Sequence, residues 1–330
     1  MRVILRTKGG HKQGMGDIMG SLALADAFQD RGVETLFIVD DGKEALRCIK
    51  DHGYRVIPTK NDGEETSYLK FFSPHVILVN QLNNPRRYLE NLKKNTLLLV
   101  TVNDAGEGAQ VADIRFNPLY RTPRAFCGPE FAPLKREFQK TSKRHVRKKV
   151  ENILITLGGS DTYGFTPKVV SALRSIPKEV SITVLLGPAF KHKKELERVL
   201  SNVNRPFTIV RNAKNMADLI AGADIAVCSG GNTLFEVACM GTPAVVVCCE
   251  PFEEETAMMM KKKGFGISLG FGKSLEEKCI FKAVNDLMEN YELRLHMSKN
   301  GKKLVDGKGA KRSVEIIIKK MEEVLWVRVA

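Results

Sequence analysis

Ile225-Ala226-Val227-Cys228-Ser229-Gly230-Gly231-Asn232-Thr233-Leu234-Phe235-Glu236 is the stretch on which the fold of this chain turns. Four apolar residues read as a buried strand, Ser-Gly-Gly breaks it, and a helix starts at once. Such a junction leaves unpaired backbone N–H groups at a helix N-terminus, where the macrodipole favours an anion. Gly230 and Gly231 lack a Cβ, so a diphosphate can reach the backbone. Glu236 lies about one turn into the helix, where it can accept hydrogen bonds from sugar hydroxyls beside the phosphates. The same residues also suit a tight strand–helix turn with a surface glutamate. A short glycine motif does not separate the two.

Outward from this stretch the chain alternates strands and helices. Val3–Thr7, Thr35–Val39, Arg55–Pro58, His75–Asn80 and Thr96–Val102 read as strands in the first half, with helical patterns between them that begin with Asp17–Arg31. A second series starts at Asn152–Leu157 and continues with Ser181–Leu186, Phe207–Val210, Ile225–Cys228 and Ala244–Cys248. Helices are expected near 165–175, 192–200, 215–221, 231–240, 254–263 and 274–289, and Gly309–Val327 reads as one amphipathic helix with Val314, Ile317, Ile318, Met321 and Leu325 on one face. Short Val/Ile/Leu runs separated by helices indicate buried parallel strands. The reading is α/β, with two doubly wound Rossmann-like domains facing a central cleft. Residues 1–145 form the N-terminal domain and 146–330 the C-terminal domain, its last helix free to pack back on the first. Ligands of open parallel sheets bind beyond the carboxyl ends of the strands, at the switch point.

Composition narrows the class. The chain has 330 residues and a net charge of +14, of which the segment 135–149 carries +7. A basic surface favours nucleotides, phosphates or anionic membrane, and allows peripheral contact with the last; for 135–149 itself a solvated linker is the preferred reading. Aromatics are 7% of the chain and none interleave with the basic run, so no nucleic-acid partner is expected. The start, Met1-Arg2-Val3-Ile4-Leu5-Arg6, opens a strand and does not read as a signal peptide, and no apolar run is long enough to span a membrane. Seven cysteines without a C-x-x-C pair read as reduced thiols of a cytoplasmic protein. The six histidines lack ligand spacing, so no metal and no other cofactor is expected.

Further constellations fall at strand ends. Gly14-Met15-Gly16 with Asp17 follows the first strand, after a loop that holds His11. Asp17 suits a helix N-terminal turn; it also suits a general base, with His11 a second acid–base candidate. Gly158-Gly159-Ser160-Asp161 follows the first strand of the second half and Gly187 follows the next, both candidates for the nucleotide. Asn103, Asp104 and Asp113 are explained by turn chemistry. Asn80 closes an apolar strand and is a candidate for the sugar, as are Glu253 and Glu254 in Glu250-Pro251-Phe252-Glu253-Glu254-Glu255, although acids in a first helical turn need no function. Met258-Met259-Met260 reads as core.

Taken in order, several of these motifs resemble those of the PseG/SpsG-type proteins. Gly14-x-Gly16 with Leu22-Ala23-Leu24-Ala25 is similar to their first loop, and Gly158-Gly159-Ser160-Asp161 to the Gly-Gly-Ser/Thr-Asp after their central strand. Phe131-Ala132-Pro133-Leu134-Lys135-Arg136-Glu137-Phe138 resembles their Tyr-Ala-Leu-Ile-Arg-Glu-Glu-Phe. Ser229–Glu236, with Gly241-x-Pro243, resembles their nucleotide-binding helix. That family includes the UDP-sugar hydrolase of pseudaminic acid biosynthesis and spore-coat polysaccharide proteins, has the GT-B fold and is related to MurG. The resemblance implies that UDP lies on the C-terminal half, with its diphosphate at Ser229, Gly230, Gly231, Asn232 and Thr233 and its ribose on Glu236. It implies a sugar near Gly14, Met15, Gly16 and Asp17, and departure of UDP without metal. Three positions depart from the family. Asp17 stands where the hydrolases carry His, Asn80-Gln81-Leu82 where they carry Asp-x-Tyr, and Phe252-Glu253 where they carry Asn-Gln. The implied activity is cleavage of a UDP-linked amino sugar with water. The alternatives are a GT-B glycosyltransferase with an alcohol acceptor and a nucleotide-sugar-binding protein without turnover.

Overall fold

A computed structural model describes residues 1–330 except 12, 13, 41, 140–144, 212, 214 and 330, with 328 and 329 by backbone alone. The chain divides into two compact units: Met1–Gly10, Asp17–Arg136 and Gly307–Ala330 form the first, His11–Gly16 and Glu137–Asp306 the second.

The first unit is built on seven strands, β1 Arg2–Thr7, β2 Glu34–Asp40, β3 Val56–Thr59, β4 Val76–Asn80, β5 Leu98–Val102, β6 Ile114–Asn117 and β7 Phe126–Cys127. They lie in the order β3-β2-β1-β4-β5-β6-β7, every neighbouring pair parallel. Helices α1 Gly16–Gln29, α2 Lys43–Asp51, α3 Asp62–Phe72 and α4 Arg86–Lys93 make the crossovers. Strand β4 is buried at all five residues, as a sheet covered on both faces requires. On one face Ile4, Ile38, Ile77, Val79 and Leu99 pack with Leu89 and Leu92 of α4. A buried ion pair interrupts that layer: Arg6 Nε of β1 donates to Glu65 Oε1 of α3 at 3.0 Å, with the Tyr88 hydroxyl of α4 at 3.1 Å.

The second unit repeats the plan with six parallel strands, β8 Asn152–Thr156, β9 Ser181–Leu186, β10 Thr208–Arg211, β11 Ile225–Cys228, β12 Ala244–Cys248 and β13 Ile267–Phe271, ordered β10-β9-β8-β11-β12-β13. Its helices are α5 Phe165–Ala172, α6 Lys193–Ser201, α7 Met216–Gly222, α8 Asn232–Cys239, α9 Glu253–Lys262, α10 Glu277–Glu289 and α11 Tyr291–Leu304. The order reverses between β8 and β11, so the loops after those two strands flank the switch point. Helix α12, Gly309–Val329, belongs to the first unit: Arg312 Nη1 donates to the Glu130 carbonyl and Arg31 pairs with Glu315 at 2.5 Å.

Both sheets hold more strands than the sequence reading. Strands β6, β7 and β13 and helix α11 are additions. Within the Met258–Met260 run only Met260 is core; Met258 is 43% exposed. On α12, Val314, Ile317 and Met321 are buried but Leu325 is not. In the basic segment, residues 140–144 lie outside the described part, whereas Arg147 is pinned to Asp224 at 2.9 Å and is not simply solvated. All seven cysteines are free, and Cys228, Cys239, Cys248 and Cys249 are buried.

Candidate functional site: a nucleotide-binding edge on the second sheet

The carboxyl edge of the second sheet is where its glycines gather. After β8, Gly158 takes φ +82°, and after β11 the Ser229-Gly230-Gly231 turn delivers the chain into α8. No side chain caps α8, whose Ncap is Gly231, so its first amides face outward with the positive end of the helix dipole. Thr233 is 7% exposed and Glu236 9%, so Glu236 is a buried group on the second turn and not the surface glutamate of the plainer alternative. A Cβ on Gly158 would meet Ser229 Oγ at 3.5 Å and Thr233 Oγ1 at 3.8 Å, which puts the two glycine loops side by side.

Residues 11–16, encoded between β1 and α1, are part of this edge. Asn232 Nδ2 donates to the Gly16 carbonyl at 2.9 Å. A Cβ on Gly159 would lie 2.5 Å from Met15 Cβ, and one on Gly187 2.4 Å from the Gly159 carbonyl oxygen, so both glycines are required by close packing. Ala189 N–H donates to that same Gly159 carbonyl at 2.9 Å. His11 Nδ1 sits 3.1 Å from the Ala189 carbonyl, and its ring lies 5.6 Å from that of His192. Donation from Nδ1 leaves Nε2 as the lone-pair nitrogen. Asp161 caps α5, its two carboxylate oxygens accepting from Phe165 N at 2.8 Å and Thr166 N at 2.7 Å.

Glu253 and Glu254 part ways. Glu254 Oε1 accepts from Phe271 N at the end of β13, 3.0 Å away. Glu253 turns in: its Oε2 accepts from Gly230 N at 3.0 Å and from Cys249 N at 2.7 Å. It thereby bridges the ends of β11 and β12, a role that the sequence reading, which sent it to the sugar, did not contain. Burial pushes its pKa up to about 7, against the pull of the two amides. A Cβ on Gly231 would come within 2.8 Å of Glu253 Oε1, so any side chain there has to move that carboxylate whether or not a phosphate binds.

In the first unit, Asn80 is wholly buried and donates to the Asp17 carbonyl at 2.9 Å and to Ser21 Oγ at 3.1 Å. Through its Nδ2 it braces the first turn of α1. Asp17 follows Gly16 directly in the chain and keeps one edge in solvent. Burial nonetheless raises its carboxyl pKa to about 7, with the Lys8 charge opposing the rise. An ordinary aspartate titrates far below histidine, and the burial of Asp17 closes that gap.

Asp17 and Glu253 make a joint prediction. Both hold their protons in the fold up to about pH 7, whereas an unfolded carboxyl releases its proton near pH 4. The folded state therefore binds more protons between those values, and its stability falls as pH rises through that window. Urea unfolding at about pH 5 and about pH 8 should show a loss that shrinks in Asp17→Asn and in Glu253→Gln. Equal losses in all three proteins would remove these carboxyls as the cause.

Among the described residues no group of three His, Cys, Asp or Glu side chains could hold a metal, and no helix is long and apolar enough to cross a membrane. Residues 152–313 match the model of the glycosyltransferase family 28 C-terminal domain. The chain is an enzyme, a glycosyltransferase or a relative of one. It is 26% identical over 334 residues to the spore coat polysaccharide biosynthesis protein SpsG of Bacillus subtilis, across 96% of this chain and 98% of that protein. Its fold is that of MurG from Acinetobacter baumannii, with a TM-score of 0.69, 16% identity and coverage of 97% of this chain and 100% of that one. Anabaena HepE, solved in complex with UDP, superposes with a TM-score of 0.64 at 12% identity over 97% of this chain and 100% of that one. The two parallel-sheet units are thus the two halves of a GT-B fold, and the family match falls on the half that carries the glycine-rich edge of this enzyme.

Proposed function

We propose that the enzyme cleaves the C1–O bond of a UDP-linked amino sugar, with UDP as the leaving group, in the making of a surface polysaccharide. The observation that carries this is the uncapped N-terminus of α8 behind Ser229-Gly230-Gly231, with the carboxylate of Glu236 buried one turn on. The outward-facing amides of α8 take the diphosphate and stabilise its charge as it departs. Glu236 accepts from the ribose hydroxyls. Ser229, Asn232, Thr233 and the loop Gly158–Ser160 complete the nucleotide contacts, with Gly14–Gly16 toward the sugar. Asp17 is the general base: a carboxyl that titrates near neutrality can both take a proton from the attacking oxygen and exist as its base at working pH. The likeness to SpsG over nearly the whole of both chains supports the polysaccharide setting.

Transfer to an alcohol is the second reading, favoured by the glycosyltransferase family 28 match. The same base and the same leaving-group site serve either acceptor. Turnover of UDP-amino sugars in ¹⁸O-labelled water separates them. Hydrolysis releases UDP with the label on the sugar, whereas transfer releases UDP only once an alcohol acceptor is added.

Calorimetry with UDP, and with UMP, CMP and ADP as controls, tests the nucleotide site. UDP should bind selectively, and Glu236→Ala should weaken it by about 1–3 kcal/mol, roughly ten- to a hundredfold. Unchanged affinity in the variant would strip Glu236 of the ribose, and no UDP binding by the wild type would overturn the reading.

A further inference from the structure

We propose that Glu253 is a built-in occupant of the diphosphate cradle, a positioning residue whose carboxylate holds the turn before α8 and gives way to an incoming diphosphate once it is protonated. The inference rests on the UDP reading above and gives that site a gate.

The geometry is specific. Glu253 Oε2 takes the amide of Gly230, and Oε1 lies 2.8 Å from the point where a Cβ on Gly231 would stand. The Cβ and carbonyl oxygen of Glu253 are each 2.9 Å from the corresponding point on Gly230. The carboxylate therefore rests against both glycines that a phosphate has to approach. It is 7% exposed, so its charge is poorly screened. The ionisable groups gathered here do not neutralise it. Glu250 comes from the preceding turn, Cys228 from the end of β11, Cys248 and Cys249 from the end of β12, and Asp161, from the loop after β8, stands 4.0 Å from Cys249 Sγ. Each of these is acidic or a thiol, and Glu236 adds a further acid on the α8 side.

An anion held inside an anion site does two things. It satisfies the Gly230 amide and so keeps the turn before α8 in shape. It also repels a second anion until it is protonated. A carboxyl that titrates near neutrality takes up a proton from solvent when a second anion approaches, because the like charge raises its pKa further. A glutamine here keeps the shape and one acceptor but carries no charge, so the gate is a property of the acid.

The test is UDP affinity as a function of pH. Between about pH 7.5 and pH 9 the UDP phosphates are fully ionised, because their last proton leaves near pH 6. There the wild-type Kd should weaken by about tenfold per pH unit, the slope of one obligatory proton. Glu253→Gln should bind UDP more tightly than wild type at the upper end and show little slope. Calorimetry in two buffers of different ionisation enthalpy should find proton uptake on UDP binding by the wild type and little by the variant. If both proteins bind UDP with the same slope and the same uptake, the gate is overturned and the UDP site stands. If neither binds UDP at any pH, the UDP reading falls and the gate with it. Binding that appears only in Glu253→Gln supports both. Should the variant fail to fold, the wild-type slope still decides, since a flat profile overturns the gate.

Discussion

Asp17→Asn is expected to cut turnover at least about a hundredfold while leaving UDP affinity within about twofold. The amide is nearly isosteric and keeps the first turn of α1, whose Asp17 carbonyl is held by Asn80 through the backbone. What it loses is the proton acceptor. An ordinary aspartate would make a weak base near neutrality, but burial lifts this carboxyl to about 7, which matches driving force to availability. The pH profile is the sharper readout. Wild-type kcat should rise through about pH 7 as the carboxyl ionises, and residual activity of Asp17→Asn should lack that limb. If the limb survives in the variant, the base is another group, and His11, with Nδ1 at the Ala189 carbonyl and Nε2 left as acceptor, is the next residue to replace.

Arg294→Ala is expected to be the most damaging single change to stability, at about 3–5 kcal/mol. Arg294 on α11 is a fully buried arginine. Its guanidinium donates to the carbonyls of Leu287 at 2.8 Å and Met288 at the end of α10, and to those of Arg147 at 3.0 Å and Lys148 at 2.6 Å just before β8. One side chain thus closes the negative end of a helix and ties it to the entrance of the central strand. Alanine would leave the buried Leu287 carbonyl and three partly buried ones without this donor, and a cavity where the stem lay. Arg294→Lys should recover little, because a point charge cannot serve four carbonyls from one fork. Chemical denaturation measures both variants, and a loss below about 1 kcal/mol for Arg294→Ala would show that this buried fork contributes little.

The parts legible in the sequence are those with a strong local signal. Strands such as β4 and β11 are continuous apolar runs, and glycine turns after β1, β8 and β11 mark the carboxyl edge of each sheet. β6, β7 and β13 escaped because their signal is weak. β6 sits in a stretch that turn chemistry already explained, β7 is two residues long, and β13 is interrupted by Gly270 at φ +80°. Glu253 shows the other kind of limit. A glutamate in a first helical turn is ordinary in sequence, and only the approach of β11 and β12 brings the Gly230 and Cys249 amides to the same carboxylate. The Arg6–Glu65 pair is similar, since its partners stand 59 residues apart and nothing local predicts a charge inside that layer. Asn80 was placed correctly at a strand end, but the direction of its side chain, into α1, depends on packing.

Helix α12 has a consequence for the order in which the molecule is made. It carries the last contacts of the first unit: Arg312 reaches the Glu130 carbonyl, Glu315 pairs with Arg31, and a Cβ on Gly309 would run into the Ala132 carbonyl oxygen at 2.2 Å. As the chain leaves the ribosome, residues 1–136 emerge first yet lack the helix that finishes their unit, while 137–306 can close around β8 and β11 before it arrives. The half synthesised first is completed last. Until residues 309–329 emerge, newborn copies expose the surface that α12 will cover.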